Sequence, residues 1–235
     1  MRKRLMAPPF VRNAKEVEMD FAAKRASMVD RLVRSGYVRD SRVRDAFLAV
    51  PREAFVRPED QKAAYEDVPL SIGSGQTISA LSMIAIMLEE ARLVPGECVL
   101  EIGTGSGYHA ALLATLVGSR NVVSIERHAA LAERARSILG SIGFGDVTVV
   151  VGDGSLGFPG RAPYDCLIAT AGAPRIPDAW PPQLTPRGRI VAPIGASRHG
   201  QVLVVATRRP DGTLDVREGT PCAFVPLVGA KAWPD

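Results

Sequence analysis

The stretch Val99-Leu-Glu-Ile-Gly-Thr-Gly-Ser-Gly-Tyr108 constrains the fold more than any other. An apolar strand runs directly into glycines at 103, 105 and 107. Tyr108, Ala111, Leu112 and Leu116 then recur at helical spacing. A strand, a glycine turn and a helix in immediate succession let the backbone approach a nucleotide-like ligand, because glycine has no Cβ to collide with it. The spacing is G-x-G-x-G. A dinucleotide fingerprint needs a glycine where Tyr108 stands, which weakens a nicotinamide reading.

From residue 97 onward the chain alternates. Strands are expected over 97–102, 121–125, 146–151, 164–170 and 188–194, with helices over 108–118 and 128–139. Such alternation implies a parallel sheet with right-handed crossovers. The last part changes character. Residues 201–208 and 213–217 flank Pro210-Asp-Gly212 and read as an antiparallel hairpin that completes seven strands, and 220–228 is a candidate for one more. The expected fold is α/β: a doubly wound, mostly parallel, seven-stranded Rossmann-like sheet with an N-terminal helical cap and a C-terminal antiparallel hairpin. The 235 residues, 46% of them hydrophobic, suit one such domain.

Three parts precede or follow the core of residues 97–195. Residues 1–27 are basic, broken by Pro8-Pro9, and read as an extension outside the 28–235 domain. Residues 28–92 form a helical cap and a loop, with Met28, Val29, Leu32 and Val33 on one helical face. Asp40 and Ser41 start the next helix, and Pro51 ends it. Residues 196–235 carry the hairpin and last strand. Within the cap, Leu70-Ser-Ile-Gly-Ser-Gly-Gln-Thr-Ile-Ser-Ala80 precedes an apolar helix from Leu81, and Ser79 stands where an N-cap belongs. The free N–H groups of a helix start attract a carboxylate, so Gln76, Thr77 and Ser79 are candidates to hold an anionic substrate.

In an open parallel sheet, ligands lie beyond the carboxyl ends of the strands. Those ends carry Glu101, Glu126, Asp153 and Thr170. A carboxylate at Glu126 suits ribose hydroxyls, and Asp153-Gly154 can read an adenine edge. Glu101 favours a cation and opposes a pyrophosphate. S-adenosylmethionine, with an ammonium, a sulfonium and no phosphate, meets that demand. The net charge is +4, concentrated before residue 60, with Arg2, Lys3 and Arg4 at the start. This basic run is short and has no interleaved aromatics, so no nucleic-acid partner is expected. Cys98, Cys166 and Cys222 lie far apart and read as buried thiols, and His109, His128 and His199 form no ligand pair, so no metal is expected. No apolar run reaches a membrane span and no signal core follows Met1–Pro9, so the chain is read as cytoplasmic, without a membrane partner.

These residues resemble the class I S-adenosylmethionine-dependent methyltransferases. Ala49-Val-Pro-Arg-Glu-Ala-Phe-Val56, Gly75-Gln-Thr-Ile-Ser79, Glu101–Tyr108 and Phe224-Val-Pro-Leu-Val228 narrow the resemblance to the protein-L-isoaspartate O-methyltransferases. The likeness covers roughly residues 28–230. It implies methylation of the free α-carboxylate of isoaspartyl residues in damaged proteins, starting repair through a succinimide. It also implies Ser79 as the active-site serine, with Val225, Pro226 and Leu227 bordering the peptide. Gln76, Thr77, Ile78, Glu101, Gly103, Gly105, Gly107, Glu126, Asp153 and Gly154 would hold the cofactor. Ala80-Leu81 departs from the Gln-Pro that follows the serine in bacterial members, and residues 1–27 have no counterpart there. Two alternatives stay open: a methyltransferase with another acceptor, and a cofactor-binding module without catalysis. A monomer is expected, and a nicotinamide dehydrogenase is the remote third reading.

Overall fold

The computed structural model describes residues 14–198 and 200–234, with side chains from residue 21. Arg2, Lys3, Arg4, Pro8-Pro9 and His199 lie outside them. The first helix, α1 (Ala14–Arg34), is continuous across residue 27, where the sequence had placed the end of an extension. It stops at Ser35-Gly36, where Gly36 takes a positive φ and the Tyr37 N–H bonds back to Leu32. Met28, Val29 and Leu32 are buried, whereas Val33 points to solvent. Helix α2 (Ser41–Ala49) is capped by the Asp40 carboxylate on the Arg42 N–H, 2.8 Å away.

The loop at 70–78 is a hairpin. Strands β1 (Leu70–Gly73) and β2 (Gln76–Ile78) pair antiparallel through Ser74-Gly75. Both turn residues take positive φ, as a primed two-residue turn requires. Helix α3 (Leu81–Ala91) follows, burying Leu81, Ile84, Ala85 and Leu88.

The main sheet contains β3 (Val99–Ile102), β4 (Val122–Glu126), β5 (Thr148–Val151), β6 (Tyr164–Ala169), β7 (Leu184–Ser197), β8 (Gly200–Arg208) and β9 (Leu214–Cys222). Their order is β5-β4-β3-β6-β7-β8-β9. The strands from β5 to β7 run parallel; β8 adds antiparallel to β7, and β9 antiparallel to β8. The chain starts in mid-sheet at β3, proceeds outward to β5, then returns to β6 on the other side. The switch point therefore lies between the ends of β3 and β6.

Right-handed crossovers in one direction place α4 (Tyr108–Val117) and α5 (Ala129–Ser141) on the same face as α3. Helix α4 is buried nearly all round because it lies between the sheet and the helical cap; Thr115 alone in it is exposed. The return crossovers from β5 and β6 cover the opposite face. Among the described residues they contain only short 3-10 turns, so Trp180, Leu184 and Leu227 do the packing that a helix would do.

The expected strand at 220–228 is not a separate strand. β9 runs to Cys222, the Phe224 N–H is taken by the Gln201 side chain, and Pro226 has no N–H to continue a ladder. The segment instead crosses the strand ends, with Gly172 bonded to Val225 and Leu227. Cys98 is exposed, correcting the reading of three buried thiols; Cys166 is buried, and burial pushes its thiol up to about 12.

A polar cluster ties β7 to the end of α3. Arg189 on β7 forks onto Glu97 at 3.0 and 2.7 Å and also donates to backbone carbonyls at Ala91, Arg92 and Asp165. Arg189→Met leaves Glu97 largely buried without its partner. Denaturant unfolding is expected to show a loss of about 3 kcal/mol. Replacing both residues by methionine should recover part of it.

Candidate active site

The turn after β3 is tied to β4. The N–H groups of Gly103 and Thr104 both reach the Ile125 carbonyl, at 2.8 and 3.2 Å. Gly103 has φ +97°, and Thr170, at the end of β6, donates its hydroxyl to the Gly103 carbonyl at 2.6 Å. A Cβ on Gly103 would stand 2.4 Å from that hydroxyl oxygen. The turn is therefore flat against the switch point, as close ligand approach needs.

A cavity opens there. Gln76, Thr77, Gly103, Gly105, Glu126 and Gly154 contribute to its wall, and Val225, Pro226 and Leu227 close it from the C-terminal side. The Glu126 carboxylate is almost wholly buried. It accepts from the Gly105 and His128 N–H groups, each at 2.9 Å. An ionised carboxylate has about four acceptor positions, so room remains for two hydroxyls. Asp153 borders an adjoining groove with Arg127. It accepts from the Ser155 N–H and hydroxyl and from the Ala230 N–H. Burial opposes its ionisation, but these bonds outweigh burial and hold its carboxyl below the usual range. Asp153 thus also fastens the C-terminal segment to the end of β5.

Gly107 and Glu101 sit elsewhere than in the cavity wall. Gly107 precedes α4 and faces Ala135, Leu139 and Phe55. Glu101 is fully buried under the turn, where the Ser124 hydroxyl and the His109 Nδ1–H donate to it. Thr104 in turn donates to Ser124 at 2.5 Å.

Ser79 does not cap α3. The N-cap position is Ala80, and the Asp67 carboxylate accepts from the Ser82 N–H at 2.8 Å. The Ser82 N–H of that helix start is therefore already taken, and Ser79 is left to bind through its hydroxyl rather than as a cap. Asp67 also accounts for Ala80-Leu81: helix geometry is set by a cap from outside, and Leu81 is fully buried. With the capping role gone, the Ser79 hydroxyl has no protein partner among the described residues. It borders two spaces, a cavity beside the glycine turn with Ile78 and a groove along Cys222–Val225. Thr77 and Thr170 border both.

Sequence reasoning missed Arg52 as a site residue. Its side chain is fully buried, donates from Nη2 to the Ser79 carbonyl at 2.9 Å, and lies 5.1 Å from the Tyr108 ring centre. Burial pulls its guanidinium down to about 10. The visible signal was an arginine inside the apolar Val50–Val56 stretch.

The donor set suits adenosine bearing positive charge: a backbone cradle at Gly103 and Gly105, and a ribose-competent carboxylate at Glu126. Among the described residues no group of three His, Cys, Asp or Glu could hold a metal ion, and no helix is long and apolar enough to cross a membrane.

Known proteins agree with this geometry. The model of the family "Protein-L-isoaspartate(D-aspartate) O-methyltransferase" matches residues 23–232. The protein-L-isoaspartate O-methyltransferase of Hyperthermus butylicus is 51% identical over 222 residues, 91% of this chain and 92% of that one. That of Ignicoccus hospitalis is 48% identical over 206 residues, 87% of this chain and 97% of that one. A solved protein-L-isoaspartate O-methyltransferase superposes with a TM-score of 0.80 at 30% identity, covering 88% of this chain and 67% of that one. A Plasmodium falciparum structure, titled as a putative member in complex with S-adenosyl-L-homocysteine, shares the fold with a TM-score of 0.76 at 23% identity, over 87% of this chain and 98% of that one. The match to residues 23–232 takes in the hairpin, the glycine turn and the C-terminal wall together, and this chain belongs to the protein-L-isoaspartate(D-aspartate) O-methyltransferase family.

Proposed function

We propose that this protein methylates the free α-carboxylate of L-isoaspartyl residues in damaged proteins, so that the ester can collapse to a succinimide and reopen as a normal aspartyl linkage. The observation that carries the reading is the position of Ser79, between the glycine-turn cavity and the groove along Cys222–Val225. S-adenosylmethionine supplies the sulfonium methyl when bound. Gly103 and Gly105 approach the cofactor, Glu126 holds its ribose, and Gly154 meets its adenine.

The acceptor needs no base. An α-carboxyl has a pKa of roughly 3.5 and is ionised at neutral pH. What the site supplies is alignment, which is worth ~7–11 kcal/mol in favourable cases. Ser79 donates a hydrogen bond to the acceptor carboxylate, and Arg52, holding the Ser79 carbonyl, fixes the backbone from which that hydroxyl projects. Val225, Pro226 and Leu227 form the peptide-side wall. Isoaspartyl peptides and proteins are the partners, taken singly by a monomer.

Conversion tests the proposal. An isoaspartyl peptide incubated with the protein and S-adenosylmethionine is expected to lose isoaspartyl content as the aspartyl form appears. A constant isoaspartyl content contradicts it. Ser79→Ala is expected to lower kcat about tenfold, since a hydrogen bond to a charged group is worth about 1.5–3 kcal/mol. Its affinity for S-adenosylhomocysteine should stay within about twofold of wild type by calorimetry. An unchanged kcat removes Ser79 from the mechanism.

A further inference from the structure

Beneath the glycine turn lies a buried polar chain that methyl transfer as described leaves without a task. His109, the second residue of α4, donates from Nδ1 to Glu101 at 2.8 Å. Its other ring nitrogen, Nε2, is buried and has no partner among the described residues. The ring borders a cavity of about 40 Å³, walled also by Gly103, Gly105, Ser106 and Ser79. A space of this size, lined by polar groups, suits a compact polar group of a ligand. In the tautomer whose Nδ1 proton Glu101 accepts, Nε2 presents a lone pair. A lone pair calls for an N–H or O–H donor, and the buried carboxylate behind the ring favours a donor with positive charge.

The amino-acid end of S-adenosylmethionine carries an α-ammonium and an α-carboxylate, and only the ammonium donates. We propose that His109, oriented by Glu101, binds the α-ammonium of the cofactor's amino-acid end. The ring carries the influence of Glu101 to a ligand that the wholly buried carboxylate does not itself touch. This rests on the cofactor assignment above and adds to it the residue that distinguishes the cofactor from a plain nucleoside.

Calorimetry on the full chain tests it with three probes. These are S-adenosylhomocysteine, its deaminated analogue with the carboxylate kept, and methylthioadenosine, which lacks the amino-acid end. His109→Phe keeps ring bulk and removes Nε2. It is expected to weaken S-adenosylhomocysteine about tenfold or more, the scale of a hydrogen bond to a charged group. Methylthioadenosine and the deaminated analogue should stay within about twofold, and His109→Gln, whose amide both donates and accepts, should restore most of the loss. Unchanged affinity for S-adenosylhomocysteine, or equal losses for all three probes, overturns the proposal.

Should the phenylalanine variant fail to fold with Glu101 unpaired, the wild-type protein still decides. It is expected to prefer S-adenosylhomocysteine over the deaminated analogue by about tenfold, and equal affinities overturn the proposal. A wild-type protein that binds no probe would overturn the cofactor assignment itself and this inference with it.

Discussion

Gly103→Ala is expected to weaken cofactor binding at least tenfold while leaving a folded, destabilised protein. Two effects act together. The backbone at 103 has φ +97°, a conformation that costs a side-chain-bearing residue about 1–3 kcal/mol. The new methyl would also stand 2.4 Å from the Thr170 hydroxyl oxygen, so either Thr170 or the turn must move. Thr170 is not free to move cheaply, because its hydroxyl is bonded to the Gly103 and Ile102 carbonyls. The turn is what shifts, and it forms the cavity floor. Calorimetry with S-adenosylhomocysteine should show at least a tenfold loss, with a lower thermal midpoint. Adding Thr170→Ala should recover stability more than affinity, since the positive φ remains. Wild-type affinity in the single variant would show that the cofactor does not lie against this turn.

Trp180→Ala is expected to be the most destabilising single substitution on the sheet face opposite the helices. Trp180 is fully buried, and its Nε1–H donates to the Gly154 carbonyl at 2.9 Å. Removing a buried tryptophan side chain costs about 3–5 kcal/mol, and the Gly154 carbonyl is left with the Gly157 N–H alone. No α-helix covers this face among the described residues, so little nearby can collapse into the space. Trp180→Phe keeps most of the bulk and loses the hydrogen bond; a loss of about 1–3 kcal/mol is expected. Gly154 lines the cofactor cavity and packs on Ile102, with no room for a Cβ between them. Both variants should therefore weaken cofactor binding as well as unfold at lower denaturant. An alanine variant of wild-type stability would contradict the packing described.

The local signals were legible in the sequence, and the long-range ones were not. Val99–Tyr108 reads correctly because strand, turn and helix adjoin and each has its own period. The Asp211-Gly212 turn reads correctly for the same reason: the Arg209 and Thr213 backbones close it locally. Ser79 misled because its cap is replaced by Asp67, whose place in the fold no local pattern shows. The hairpin at 70–78 was present as a Ser-Gly pair but hidden by strands too short to show a period. Helix α1 crosses residue 27 because helix formation tolerates a basic, weakly apolar sequence that composition alone reads as an extension. Glu126 and Gly154, which line the cavity, and Asp153, at the adjoining groove, were placed by the strand ends. Arg52 was not: its place within Val50–Val56 is a faint local signal, and the carbonyl and aromatic face that hold it come from distant segments.

The central claim is selective methylation of an isoaspartyl carboxylate. One peptide, prepared in aspartyl and isoaspartyl forms, is incubated with the protein and methyl-labelled S-adenosylmethionine. The account predicts label in the isoaspartyl form and none in the aspartyl form. Equal label in both, or none in either with the cofactor bound, would contradict it.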